Sequence, residues 1–168
     1  MSLNLTVTAS IVGLITGAPD LVSVEASIAK KRIVQFLDGV GAGQANLMFA
    51  DTRSIAASSN DDIDLAGALT DPLGEDASFA RIKAILVVAS ANNTNDVVIG
   101  GAATNTFVGP FGASTHKVAL PPGGVMLIAA PTAAGWPVTA ATGDLLRIAN
   151  SGAGSSVSYD LVIVGGDA

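Results

Sequence analysis

The sequence predicts an all-β domain, a sandwich or barrel with little helix, and three observations carry that prediction. Residues Phe79 to Ser90, FARIKAILVVAS, alternate in the two-residue period of a half-buried strand and finish apolar on both faces. Short apolar runs rich in β-branched residues recur along the rest of the chain. Glycine, proline and asparagine turns separate these runs about every ten residues, the spacing of sandwiches and barrels.

In the central strand, Ala80, Ile82, Ala84, Leu86 and Val88 make an unbroken apolar face, read as core throughout. The other face carries Phe79, Arg81 and Lys83 before Ile85 and Val87, so it passes from wet to buried. Burying Ile82, Leu86 and Val88 contributes roughly 1.5–3 kcal/mol each.

The elements follow in order. Leu3, Leu5 and Val7 alternate with Asn4, Thr6 and Thr8, which predicts a first short strand or an extended arm, interrupted at Gly13, Gly17 and an Ala18-Pro19-Asp20 turn. Residues 1–20 are therefore read as an N-terminal arm or first strand, either paired into the main sheet or reaching a neighbouring chain. Residues 21–168 are read as a single β-sandwich domain. From Leu21 to Leu37 the helix caps are missing and β-branched residues are frequent, which predicts two strands around a Lys30-Lys31 turn.

The glycine-rich DGVGAGQAN, residues 38–46, makes a loop, and Leu47 to Ala50 with Arg53 to Ala57 resume extended structure. Residues 58–76 are the densest in acids. They predict one short strand and a loop, with Ile63, Leu65 and Leu69 dipping into the core. After a turn at ANNTND, Val97 to Ile99 return, and Lys117 to Leu120 and Val125 to Ile128 flank a chain reversal at Pro121-Pro122-Gly123-Gly124. Near the end, Leu146 and Ile148 face the core opposite Leu145 and Arg147, and Val157, Tyr159, Leu161 and Ile163 share one face of the last strand.

At 168 residues the chain can bury roughly 70% of its unfolded surface. It has no cysteine, so disulfides and thiolate metal sites are excluded. Charged residues make up 13% and hydrophobic ones 49%, which leaves a surface poorly guarded against self-association and favours an oligomer. A net charge of −6, with Lys30, Lys31 and Arg32 as the only basic run, predicts no nucleic-acid partner. No cation precedes the apolar part of the amino terminus, so no secretory leader is expected. Prolines and glycines break the long uncharged stretch between Lys117 and Asp144, so no membrane span is expected either.

The residues that carry chemistry do not assemble into a motif. His116 is the only histidine; with Ser114 it formally offers a base and a nucleophile, but no GxSxG elbow is present and one histidine without cysteine makes a poor zinc site. Gly39, Gly41 and Gly43 suggest a phosphate cradle only superficially, because no helix opens after them and no P-loop lysine follows. Asp61, Asp62 and Asp64, with Glu75 and Asp76, depart from the EF-hand spacing and are read as a solvated acidic edge, Asp62 and Asp64 being the first candidates were a cation bound. A carboxylate pair for glycoside hydrolysis can come from distant strands, but the exposed aromatic platforms of carbohydrate sites are not suggested: Trp136 and Tyr159 are read as core or interface residues. The expectation is a protein that is not an enzyme, with no cofactor and no metal.

The ordered segments DGVGAGQAN, ADTRSIAAS, DLAGALTDPLG, FARIKAILV, PPGG, TGDLLRIANSGAG and YDLVIVGG resemble virion structural proteins of tailed bacteriophages, over roughly Leu21 to Gly166. Within that group the chain most resembles a capsid decoration, or cement, protein. The resemblance implies a jelly-roll-like β-sandwich, made in the bacterial host cytoplasm, that forms homotrimers on the outer capsid surface and bridges major capsid protein subunits. Tail, fibre or baseplate-associated proteins are the alternative, and a carbohydrate-binding module a more distant one. Leu3, Leu5 and Val7 in the arm are the expected interface, an apolar edge able to add to a neighbour's sheet.

Overall fold

A computed structural model describes residues 2–18, 20–67 and 69–168. Twelve strands are present among them: β1 (Leu5–Gly17), β2 (Val24–Asp38), β3 (Gln44–Ala45), β4 (Leu47–Ile55), β5 (Asn60–Asp64), β6 (Arg81–Ala89), β7 (Val97–Ile99), β8 (Val118–Leu120), β9 (Val125–Ala129), β10 (Trp136–Pro137), β11 (Leu145–Asn150) and β12 (Val157–Gly166). A 3-10 turn at Gly109–Phe111 is the one helical element among the described residues.

The strands form an all-β sandwich with an added layer. One sheet runs β4-β12-β6, with β9 and β10 sharing the far edge of β6; the other runs β5-β11-β7-β8. From β4 to β7 the chain changes sheet at every step. Within these two sheets, among the described residues, only β7 and β8 are consecutive partners, after which the chain crosses to β9, back to β11 and over again to β12. The turn at Pro121 to Gly124 makes one of these crossings, from β8 in one sheet to β9 in the other. Proline stands at its second position, and Gly123, at φ 76°, takes the left-handed conformation that a side chain would resist.

The core between the sheets follows the alternation. Leu146 and Ile148 of β11 meet Val157, Tyr159, Leu161 and Ile163 of β12, all fully or almost fully buried. In β6 the predicted faces change sides partway. Val164 pairs with Ala84 while Gly165 pairs with Ile82, so β6 holds one extra residue, Lys83, in a bulge. A bulge reverses the parity of the strand beyond it. Ile82 therefore shares the main core with Ile85, Val87 and Ala89, whereas Ala84 joins a second cluster on the outside of the sheet. Of the even-numbered residues only Ile82 lies in the main core, Ala84 is buried in the second cluster, and Ala80, Leu86 and Val88 are half-buried, a correction to the sequence reading.

The amino-terminal region departs most from expectation. β1 runs through Gly13 without interruption, and Lys30 and Lys31 lie in the middle of β2, paired with Ile11 and Ser10, so no turn forms there. The two strands make a single hairpin of thirteen paired positions, Leu5 with Phe36 through Gly17 with Val24, about 40 Å long at the rise of an antiparallel strand. The arm thus takes in residues 21–38 as well as 1–20. Pro19, expected in its turn, lies outside the described residues.

Candidate interaction surface

The residues that suggested chemistry are occupied in holding the fold. The imidazole Nδ1 of His116 lies 2.7 Å from the carbonyl oxygen of Phe111, 5 residues back. Asp62 sits directly across from Arg147 in the β5–β11 pair and accepts two guanidinium hydrogen bonds at 2.6 Å, which hold its carboxyl below the usual carboxylate range. Asp61, on the other side of β5, accepts from Arg53 Nε at 2.5 Å and from the Tyr159 hydroxyl at 3.0 Å. Asp64 accepts from the backbone N–H of Ala66 at 3.1 Å. Among the described residues no three histidine, cysteine or acidic side chains converge on a point where a metal ion could sit. In the glycine loop the space of a phosphate is filled by the chain's own Gln44, whose Oε1 accepts from the Gly41 N–H at 2.8 Å. Trp136 pairs with Ile82 and packs half-buried against the main core.

Lys83, read from sequence on a wet face, is fully buried. Its ammonium donates to the carbonyls of Thr132, Ala133 (2.5 Å) and Gly41 (3.4 Å). Burial, and to a lesser extent Arg81, pushes this group below the ordinary lysine range. The contact ties two loops to β6, and the Gly43 N–H donating to the Pro131 carbonyl at 2.8 Å joins those loops to each other. The first of the two loops follows directly from β2, so these bonds hold the base of the arm.

Leu3, Leu5 and Val7 are half-buried within the chain. With Val34 they pack on Phe36, Ala45, Ala84 and Val164, over the outside of the β4-β12-β6 sheet. In the hairpin, paired residues point to the same side. The face that packs at the root, Leu5 with Phe36 and Val7 with Val34, continues outward as Ala9 with Arg32, Ile11 with Lys30, Gly13 with Ile28, and Ile15 with Ala26. That outer part has no partner among the described residues. Every described residue from Thr8 to Ile33 is exposed, with Ile11 at 73%, Ile15 at 77% and Leu21 at 95% of their full accessibility. Eight residues of β1, from Ser10 outward, project roughly 25 Å beyond the last root contacts.

Beside the root lies an apolar groove of about 210 Å³, between residues 5–8 of the arm and Ala84, Leu86, Leu127, Val162 and Val164 of the sheet. The sequence carried one sign of the arm's true length: no glycine, proline, asparagine or aspartate interrupts the chain between Leu21 and Asp38, so nothing there favours a turn. Comparison of the chain with protein families, curated proteins and solved structures finds no match. The functional reading therefore rests on the arm, the groove and the sandwich.

Proposed function

We propose that this chain is a non-enzymatic structural subunit of a tailed-phage virion, a decoration protein that seats on the outer capsid surface and bridges major capsid subunits. The observation that carries the reading is the long arm, which leaves large apolar side chains in water while a rigid two-sheet body holds its base. Monomeric proteins seldom expose such surface, and where they do it marks a site of association. The strand order of the sandwich supports the reading further: we read β4-β12-β6-β9 facing β5-β11-β7-β8 as two Greek keys in a jelly-roll-like arrangement, an architecture that virion proteins use. Many copies burying surface across capsid joints would favour the expanded shell by binding energy alone.

The test is to determine the native mass of the purified protein, mix it with expanded capsids that lack it, and image the particles. Trimers at regular three-fold positions are expected. A protein that ignores capsids refutes this placement and moves the search to the tail, fibre and baseplate.

A further inference from the structure

We propose that the outer half of the arm seats in the apolar groove of a second copy of this chain, with Ile11, Ile15 and Ile28 packing against Leu86, Leu127 and Val162. The inference deepens the self-association in the proposed function and does not depend on the capsid.

Three observations lead to the second copy. First, the arm already shows how its face is buried: at the root, Leu5, Val7 and Val34 pack on the outside of the β4-β12-β6 sheet, and the same face continues, apolar and uncovered, past the edge of that sheet. A sister molecule presents the same sheet surface, with the groove beside its own root still open. Second, the charges are complementary. Residues 39–168 hold eleven acids against five bases, whereas the arm, residues 1–38, is balanced at three acids and three bases; its cations Lys30 and Arg32 stand on the face that continues from the root, and Glu25, paired with Thr16, stands on the other. Lys30 pairs with Ile11 and so shares the face that would meet the groove. Third, an acid stands beside the groove, its carboxylate accepting so far only from the Thr52 hydroxyl at 2.6 Å among the described residues. Asp160 is exposed two residues along β12 from Val162 and on the same side of the sheet, next to the residues the isoleucines would cover. Arm and groove are different surfaces, so each copy gives one and receives one.

The absence of cysteine makes the test clean. Ile11→Cys, Ile15→Cys or Ile28→Cys in one preparation is mixed with Leu86→Cys or Leu127→Cys in another and treated with a short thiol cross-linker. Arm-to-groove dimers are expected from the mixtures, and little product from arm variants alone. In sedimentation velocity the unmodified chain should associate at micromolar concentration. Ile15→Asp should weaken that association at least tenfold; since Ile15 is exposed, circular dichroism should show the fold intact. Asp160→Lys should weaken association and Lys30→Glu should restore it in the double variant. A monomeric wild-type chain, association indifferent to Ile15→Asp, or cross-links that join arm to arm would each overturn the proposal. Arm-to-groove dimers that fail to bind capsids would leave it standing and refute the capsid placement alone.

Discussion

The hydroxyl of Tyr159 is buried between the two sheets, with the side chain 1% exposed, and donates to Asp61 beside the guanidinium of Arg53. Burial first, and the negative charge of Asp61 second, push its pKa well above the ordinary tyrosine range. A group raised in the folded state supports folding fully below its unfolded value and loses that support as pH rises beyond it. Tyr159 therefore contributes stability below about pH 10, and above it the unfolded chain gains by ionising. It is the only tyrosine, so absorbance at the tyrosinate band reads it alone. The native protein should show no tyrosinate until alkaline unfolding begins, while the urea-unfolded chain should titrate near pH 10. A smooth native titration near 10 would show the ring to be open to solvent. Its burial was legible, because period two places Tyr159 in line with Val157, Leu161 and Ile163. Its partners were not, since Arg53 is brought beside it by the pairing of β4 with β12 and Asp61 reaches it from β5 in the facing sheet. Lys83 shows the opposite case. A lysine in an alternating strand reads as wet, and only the carbonyls of two distant loops make its burial tolerable.

Among the elements, β6 and β12 were the easiest to recognise, and β6 was the hardest to orient. Both faces of β6 beyond Lys83 are apolar, so nothing in its residues signals the bulge that exchanges them; the extra residue is apparent only against the register of β12. Gly165 makes that register possible. A Cβ there would stand 2.2 Å from the carbonyl oxygen of Arg81 and 2.7 Å from Cδ1 of Phe79, both in the packed interior of the pairing. Gly165→Ala should destabilise the protein by about 1–3 kcal/mol in urea unfolding. Gly17→Ala, whose new methyl would meet nothing within 4 Å, should stay within about 0.5 kcal/mol of the parent. Equal effects at both sites would mean that the close approach at Gly165 is not what binds the two strands in register. The hairpin failed for a related reason. Gly13 and a pair of lysines look like breaks between short strands, and only the pairing of β1 with β2 shows both strands running straight through them.

At the scale of the whole molecule, the packed cores and the exposed apolar surface lie in different places. The main core and the smaller cluster beneath the arm root bury their residues without help from anything beyond Thr8 and Ile33. Ala9 and Arg32 face each other across the hairpin, so a two-residue Asn-Gly turn can replace residues 10–31 between them. The shortened chain should unfold within about 0.5 kcal/mol of the full one and remain monomeric at concentrations where the full chain associates. Loss of the folded body on shortening would show that the arm belongs to the fold. A further consequence lies in the geometry of β1, which among the described residues has a strand partner on one side only and so offers a row of unpaired backbone groups along the arm. A surface that gives to one neighbour and takes from another stops growing only if the successive rotations return to the start. Because the base of the arm is clamped, the angle at which it leaves the body decides between a closed ring and an endless filament. With the arm seated on a second copy as proposed, a substitution that loosens the Lys83 contacts would turn a closed ring into fibres without unfolding any subunit.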